Sequence, residues 1–153
     1  MSIEKTRQAV HDYIARTRWA SLAIVREDGA PTIRPIGSFA PAGGGVDVFF
    51  ATPRDSAKAR VLARNPRVNF YFQHEGQAIA SYRGVSIIGE ARVVEPGSED
   101  FCAAVALIAA RSQHFNGLVE RGELDGMCIY RVKAVELRYS DYAESRGIQE
   151  LRP

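Results

Sequence analysis

Lys58, Ser56, Thr52 and Arg34 are side chains whose chemistry and spacing converge on one task, the holding of an anion. The stretch FFATPRDSAKARVLARNPRV, Phe49 to Val68, puts five cationic side chains and one acid into twenty residues, directly after a run that reads as a buried strand. Asp55 or Ser56 is placed to cap a short helix from Ala57 to Arg64, which Asn65-Pro66 then stops. Lys58 precedes that helix's apolar pair, Val61 and Leu62, by three and four residues, so it shares their face and leans toward the sheet. Cations at a helix N-terminus oppose the macrodipole by a few tenths to about 1 kcal/mol each, and an anion held there reverses the sign. The N–H groups of the first turn, the hydroxyls of Thr52 and Ser56 and the Lys58 ammonium together make a compact cradle for a phosphate. Arg34, in TIRPIGSF, joins them if that segment forms a hairpin with Val46–Ala51, and its guanidinium then offers a forked pair of donors. The competing reading is that such cations are simply solvated, which is the assignment of Arg60, Arg64 and Arg67 in either case.

Other reactive residue types form no constellation. His11 falls on an amphipathic helix and His74 in a polar link, where solvent is the usual surrounding; His114 closes an Ala-rich helix and suits its C-terminal dipole. No metal-ligand spacing occurs. Cys102 and Cys128 stand far apart without a CxxC pattern; each reads as a small apolar residue, and neither a disulfide framework nor a zinc site is expected. Trp19 opens a strand and is expected to pack on a neighbour. Tyr82, Tyr130, Tyr139 and Tyr142 read as core or interface rings, with ligand stacking as the rarer use.

The elements that must position these groups follow from periodicity. Ala9, Val10, Tyr13 and Ile14 mark an amphipathic helix between Glu4 and Thr17. WASLAIVR and TIRPIGSF flank Asp28-Gly29, a hairpin turn signal, and Pro35 makes the second strand an edge or bulged one. APAGGG, Ala40 to Gly45, turns into VDVFFA; VNFYFQ alternates; SYRGVSIIGEARVVE is a long extended run whose Gly84 and Gly89 mark bends or bulges. SEDFCAAVALIAARSQHF predicts one helix capped by Ser98, with Phe101, Val105 and Ile108 on one face. A polar stretch follows, then a last strand, MCIYRVKAVELRY, and an irregular tail from Ser140 to Pro153. Strands joined mostly by hairpins, with helices between particular pairs, predict a mainly β protein, a six-stranded antiparallel barrel with flanking helices, as a single domain over residues 1–153.

The chain has 153 residues, 46% hydrophobic and 25% charged, with a net charge of +2. That composition is globular, and the charge is too small to argue for nucleic acid. The charged N-terminus lacks the apolar centre of a signal peptide and no run has the length of a membrane span, so a soluble cytoplasmic protein with no membrane partner is expected.

GAPTIRPIGSF, VFFATPRDSAKARVLARNPRV and VSIIGEARVV, in that order, resemble three successive signatures of the FMN-binding split-barrel superfamily related to pyridoxamine 5'-phosphate oxidase. The similarity runs from about Trp19 to Val94, with a weaker echo in the last strand. It implies a split barrel and a homodimer with two FMN molecules in clefts between the subunits. On this resemblance Arg34 contacts the flavin phosphate, the backbone of Pro35, Ile36 and Gly37 lines the isoalloxazine edge, and Ala51 and Thr52 flank the ribityl-phosphate. Ser56 and Lys58 complete the phosphate site, and Tyr139 stands where the oxidase has a flavin-contacting tryptophan.

The departures are equally informative. Ala57 replaces an arginine of the phosphate helix, Phe39 a lysine, Gly84 a flavin-contacting glutamine, and the pair that holds pyridoxal phosphate is only faintly echoed in VELRYSDYAESRG. Vitamin B6 oxidation is therefore not expected. The resemblance implies an FMN-dependent oxidoreductase passing reducing equivalents between NAD(P)H and a small-molecule substrate; no catalytic side chain is named because a flavin ring carries such chemistry itself. The alternatives are a non-catalytic haem- or flavin-binding or sensing module on the same barrel, a deazaflavin-dependent reductase, and an OB-like nucleic-acid binder using Phe50, Tyr71 and Phe72. The modest charge argues against the last of these.

Overall fold

The computed structural model describes residues 2–144 and 147–151. Helix α1, Ile3–Arg16, begins where the Ser2 hydroxyl accepts a hydrogen bond from the Lys5 N–H, and buries Thr6, Val10, Tyr13 and Ile14, a stripe at helical spacing. Strands β1, Ala20–Val25, and β2, Pro31–Ile36, form an antiparallel hairpin. Its turn is fixed by Gly29 at φ +83° and by the Asp28 carboxylate, which accepts from the Ala30 N–H at 3.0 Å. Strands β3, Phe39–Pro41, and β4, Val48–Pro53, make a second hairpin. Helix α2, Ala57–Arg64, leads to β5, Arg67–Gln73, and β6, Arg83–Val93. Helices α3, Glu99–Ala109, and α4, Gln113–Glu120, precede the long β7, Met127–Asp141, and β8, Gly147–Leu151.

The strands form one antiparallel sheet in the order β2-β1-β5-β6-β7-β4-β3, with β8 beside β7. The two ends of that order, β2 and β3, are joined through Gly37-Ser38 and do not pair. The sheet thus curls into a barrel that stays split between them. Pro31 and Pro35 are tolerated because β2 is an edge.

The curl has a local cause. Ile88 pairs with Glu136 but Gly89 pairs with Ala134, so Val135 is an extra residue on β7 and the strand bends there. A Cβ at Gly89 would collide with the Lys133 carbonyl oxygen. Inside the curl, Phe39, Phe50, Phe70 and Phe72 meet edge to face or tilted, closed over by Val10 and Ile14 of α1. The opposite face of β3, β4 and β7, with Ala40, Phe49, Ala51 and Ile129, packs on Ala104, Ile108 and Phe115 of the paired helices. Both faces of β4 are therefore covered, which explains its unbroken apolar run.

Several expectations are corrected. The mainly β, antiparallel split-barrel reading holds, but among the described residues there are eight strands rather than six: the three-residue β3 separates from the Arg34 strand, and the tail read as irregular extends β7 to Asp141 and adds β8. The single Ala-rich helix is two, because Ser112 caps a new helix by accepting from the Phe115 N–H. His114 accordingly lies in the first turn of α4, not at a helix C-terminus. Cys102 is exposed on α3, Cys128 is only half-buried, and both are free thiols. His74 is packed rather than solvated, its ring stacked on Tyr13 with centroids 3.9 Å apart.

Two outcomes are expected. Gly89→Ala should lose about 2–4 kcal/mol in urea unfolding, against less than about 0.5 kcal/mol for Gly43→Ala, whose Cβ meets nothing within 4 Å. Burial, aided by the neighbouring Cys128 thiol, pushes the Tyr130 hydroxyl up to about 12, and burial also raises Tyr13, Tyr71 and Tyr139. The folded state then holds phenolic protons that the unfolded chain releases near pH 10, so stability falls from there through about pH 12. Denaturant midpoints between about pH 9 and about pH 11.5 should drop, and less steeply in Tyr130→Phe.

Candidate functional site

A cleft of about 690 Å³ opens where the sheet splits, within the size range of small-molecule sites. One wall is the link between the edge strands, Pro35, Ile36, Gly37 and Ser38. The floor is the end of β4, Ala51 to Pro53, with Met127 from β7 and Lys58 from α2; Arg18 and Trp19, Arg111 and Ser112 between α3 and α4, and Gln113 and His114 in the first turn of α4 complete it. Three cationic side chains line it, Arg18, Lys58 and Arg111, and among the described residues no carboxylate does. The lining is therefore net positive. A larger hollow, about 1010 Å³, lies between the β1–β2 turn and α2. Four of its charges are paired with one another, Arg26 with Asp28 at 3.0 Å and Arg64 with Glu27, and Arg60 donates to the Asp55 carbonyl.

The corner formed by Thr52, Ser56 and Lys58 follows from local sequence. Ser56 is the N-cap of α2, accepting from the Ala59 N–H at 3.2 Å, and its hydroxyl stands 3.3 Å from that of Thr52, which is buried at the end of β4. Helix geometry leaves the Ala57 and Lys58 N–H groups without intrahelical acceptors. Lys58 is half-buried because Ala59 and Leu62 hold the helix against the sheet.

Of the residues expected from sequence, Pro35, Ile36, Gly37, Ala51, Thr52 and Lys58 line this one cleft, and Ser56 adjoins it through Thr52. Arg34 does not. The hairpin that would set it beside β4 forms only around Phe39–Pro41, whereas Arg34 lies on β2 opposite Leu22 of β1. Its guanidinium folds along its own strand, donating to the Thr32 hydroxyl at 3.1 Å and the Ile33 carbonyl at 3.0 Å. Tyr139 is also elsewhere, buried in the main core with its hydroxyl donating to Asp141 at 3.2 Å. Phe39 is wholly buried, and Gly84 sits under the Tyr71 and Tyr82 hydroxyls.

The sequence reading missed Arg18, Trp19, Arg111, Ser112 and His114. Arg111 is the most connected of these. Its guanidinium donates to the Phe39 carbonyl, to Ala15 at 3.0 Å and Thr17 at 2.9 Å, and lies 4.5 Å from the centre of the Phe39 ring. Desolvation lowers its pKa below the usual arginine value. Next to it the Ser112 hydroxyl meets that of Ser38 at 3.2 Å. The signal for this junction was present in Ser112 and the apolar pair Phe115 and Val119, one turn apart, which announce α4.

The fold is a split β-barrel with a cation-lined cleft at its open seam. The chain belongs to the pyridoxamine 5'-phosphate oxidase family, whose sequence profile matches residues 6–141. No curated protein matches it. Among solved structures it is similar to a conserved hypothetical protein from Mycobacterium tuberculosis, with 25% identity, 95% of this chain and 88% of that chain covered, and a TM-score of 0.75. It is also similar to the heme storage protein HutZ from Vibrio cholerae, with 21% identity, coverage of 88% and 91%, and a TM-score of 0.67. General stress protein 26 from Bacillus anthracis is a third likeness, with 18% identity, coverage of 95% and 97%, and a TM-score of 0.66. No helix among the described residues is long and apolar enough to cross a membrane.

Arg111→Ala should lower stability by about 1–3 kcal/mol in chemical denaturation followed by circular dichroism, since a charged donor to several carbonyls is removed. Arg111→Lys should recover part of the loss. An unchanged midpoint in the alanine variant would show that the junction contributes nothing.

Proposed function

We propose that the cleft binds FMN and that the protein is an FMN-dependent oxidoreductase acting on a small molecule with NAD(P)H as donor. The observation that carries this reading is a cleft with three cations, no carboxylate among its described lining residues, and two hydroxyls beside a helix N-terminus at one corner. Lys58, Thr52 and Ser56 would hold the phosphate, Ala51 would flank the ribityl chain, and the backbone of Pro35, Ile36 and Gly37 would run along the ring edge. Arg34 joins them only by leaving Thr32 and Ile33 and turning across the edge strand; Tyr139 takes no part. The bound flavin supplies hydride chemistry, and the chain's residues supply anchoring, orientation and exclusion of water. The missing cations at Ala57 and Phe39 fit a weaker phosphate grip than the oxidase's, so vitamin B6 oxidation is not the activity proposed. A second copy of the chain would close the open side of the cleft, covering exposed apolar side chains such as Ile33 and Val135. The free thiols fit a reducing, cytoplasmic setting.

A second reading is haem binding without turnover, favoured by His114 on the cleft wall and by the likeness to a heme storage protein. A visible spectrum of the purified protein, with mass spectrometry of the ligand released on denaturation, separates the two. Flavin absorbs near about 450 nm and haem near about 400 nm. Lys58→Ala should weaken FMN binding by about 1.5–3 kcal/mol in a fluorescence titration, the range for a hydrogen bond to a charged group. Unchanged affinity would remove Lys58 from the site.

A further inference from the structure

Trp19 is the chain's single tryptophan, and 54% of it is exposed. Indoles are seldom left so open without a use, because their apolar area is large. Its position is fixed all the same. The benzo ring lies against Gly37, where a Cβ would stand 2.8 Å from Cζ3, 3.1 Å from Cη2 and 3.3 Å from Cε3. No other residue type fits beneath the ring without moving it. The indole is thus braced by the strand link on one side while lining the cleft on the other. Arg18 and Lys58 line the same cleft, so an occupant that suits both the ring and the charges is a planar aromatic anion.

We propose that Trp19 is the ring-recognising wall of the cleft, positioning the flat ring system of the bound ligand while Lys58 holds its phosphate. This rests on the FMN reading above and adds to it the residue that selects for an aromatic ligand. The glycine at position 37 is then part of the same device, since any side chain there would displace the indole.

The test uses the full chain and two probes, FMN and ribose 5-phosphate, with affinities taken from equilibrium dialysis and the emission of the sole tryptophan followed in parallel. FMN should quench most of that emission, and ribose 5-phosphate at saturation should leave it unchanged. Trp19→Ala should weaken FMN about tenfold and leave ribose 5-phosphate unaltered, with Trp19→Phe restoring most of the loss. Lys58→Ala should weaken both probes. If FMN binds the wild type but neither its emission nor the affinity of Trp19→Ala changes, or if ribose 5-phosphate quenches equally, the role of Trp19 is overturned while FMN binding stands. If dialysis shows no FMN bound to the wild type, the FMN reading falls and this inference falls with it.

Discussion

The two-residue link Gly37-Ser38 joins the ends of the sheet without letting them pair, and the rest of the architecture follows from that denial. A seven-strand path that closed would seal its rim with a ladder. Here β2 and β3 follow one another in the chain yet hydrogen-bond to different neighbours, β1 and β4. The seam between them becomes a cleft, and the groups that line it come from what lies near a seam: strand ends, a helix start and two connections. Gly37 serves twice, in the link itself and as the flat support of Trp19.

The packing makes that seam affordable. A split barrel loses the ladder at one edge and must recover stability elsewhere. Four phenylalanines fill the interior, and the helix pair α3 and α4 covers the outer face of β3, β4 and β7. Covering that second face is what lets Phe49 and Ala51 alternate with Phe50 and Val48 without exposing either set. The bend at Val135 and Gly89 lets one long strand serve two neighbours, pairing with β4 in its first half and β6 along most of its length.

Much of this was legible in the residues. The β1–β2 hairpin, the edge character imposed by Pro35, the bulge at Gly89 and the capped helix after β4 each rest on local chemistry that survives into the fold. The proximity of Thr52, Ser56 and Lys58 was legible too, because they are close in sequence and their geometry is set by one turn. What was not legible depends on distance along the chain. Arg34 was placed by assuming which strands pair, and the short β3 intervenes. Arg111 and Trp19 come to the cleft from segments nearly a hundred residues apart, and nothing local announces that. The break between α3 and α4 was hidden by an Ala-rich run whose composition favours helix throughout.

The Arg111 junction links features usually treated separately. One guanidinium grips the carbonyls that end α1 and the carbonyl of Phe39, while the adjacent serine touches the seam through Ser38. Detachment of the N-terminal helix and loosening of the cleft wall would therefore be coupled through the contacts of this one side chain. Any occupant that steadies the wall slows the escape of the helix, and amide exchange along α1 becomes a remote gauge of whether the cleft is filled.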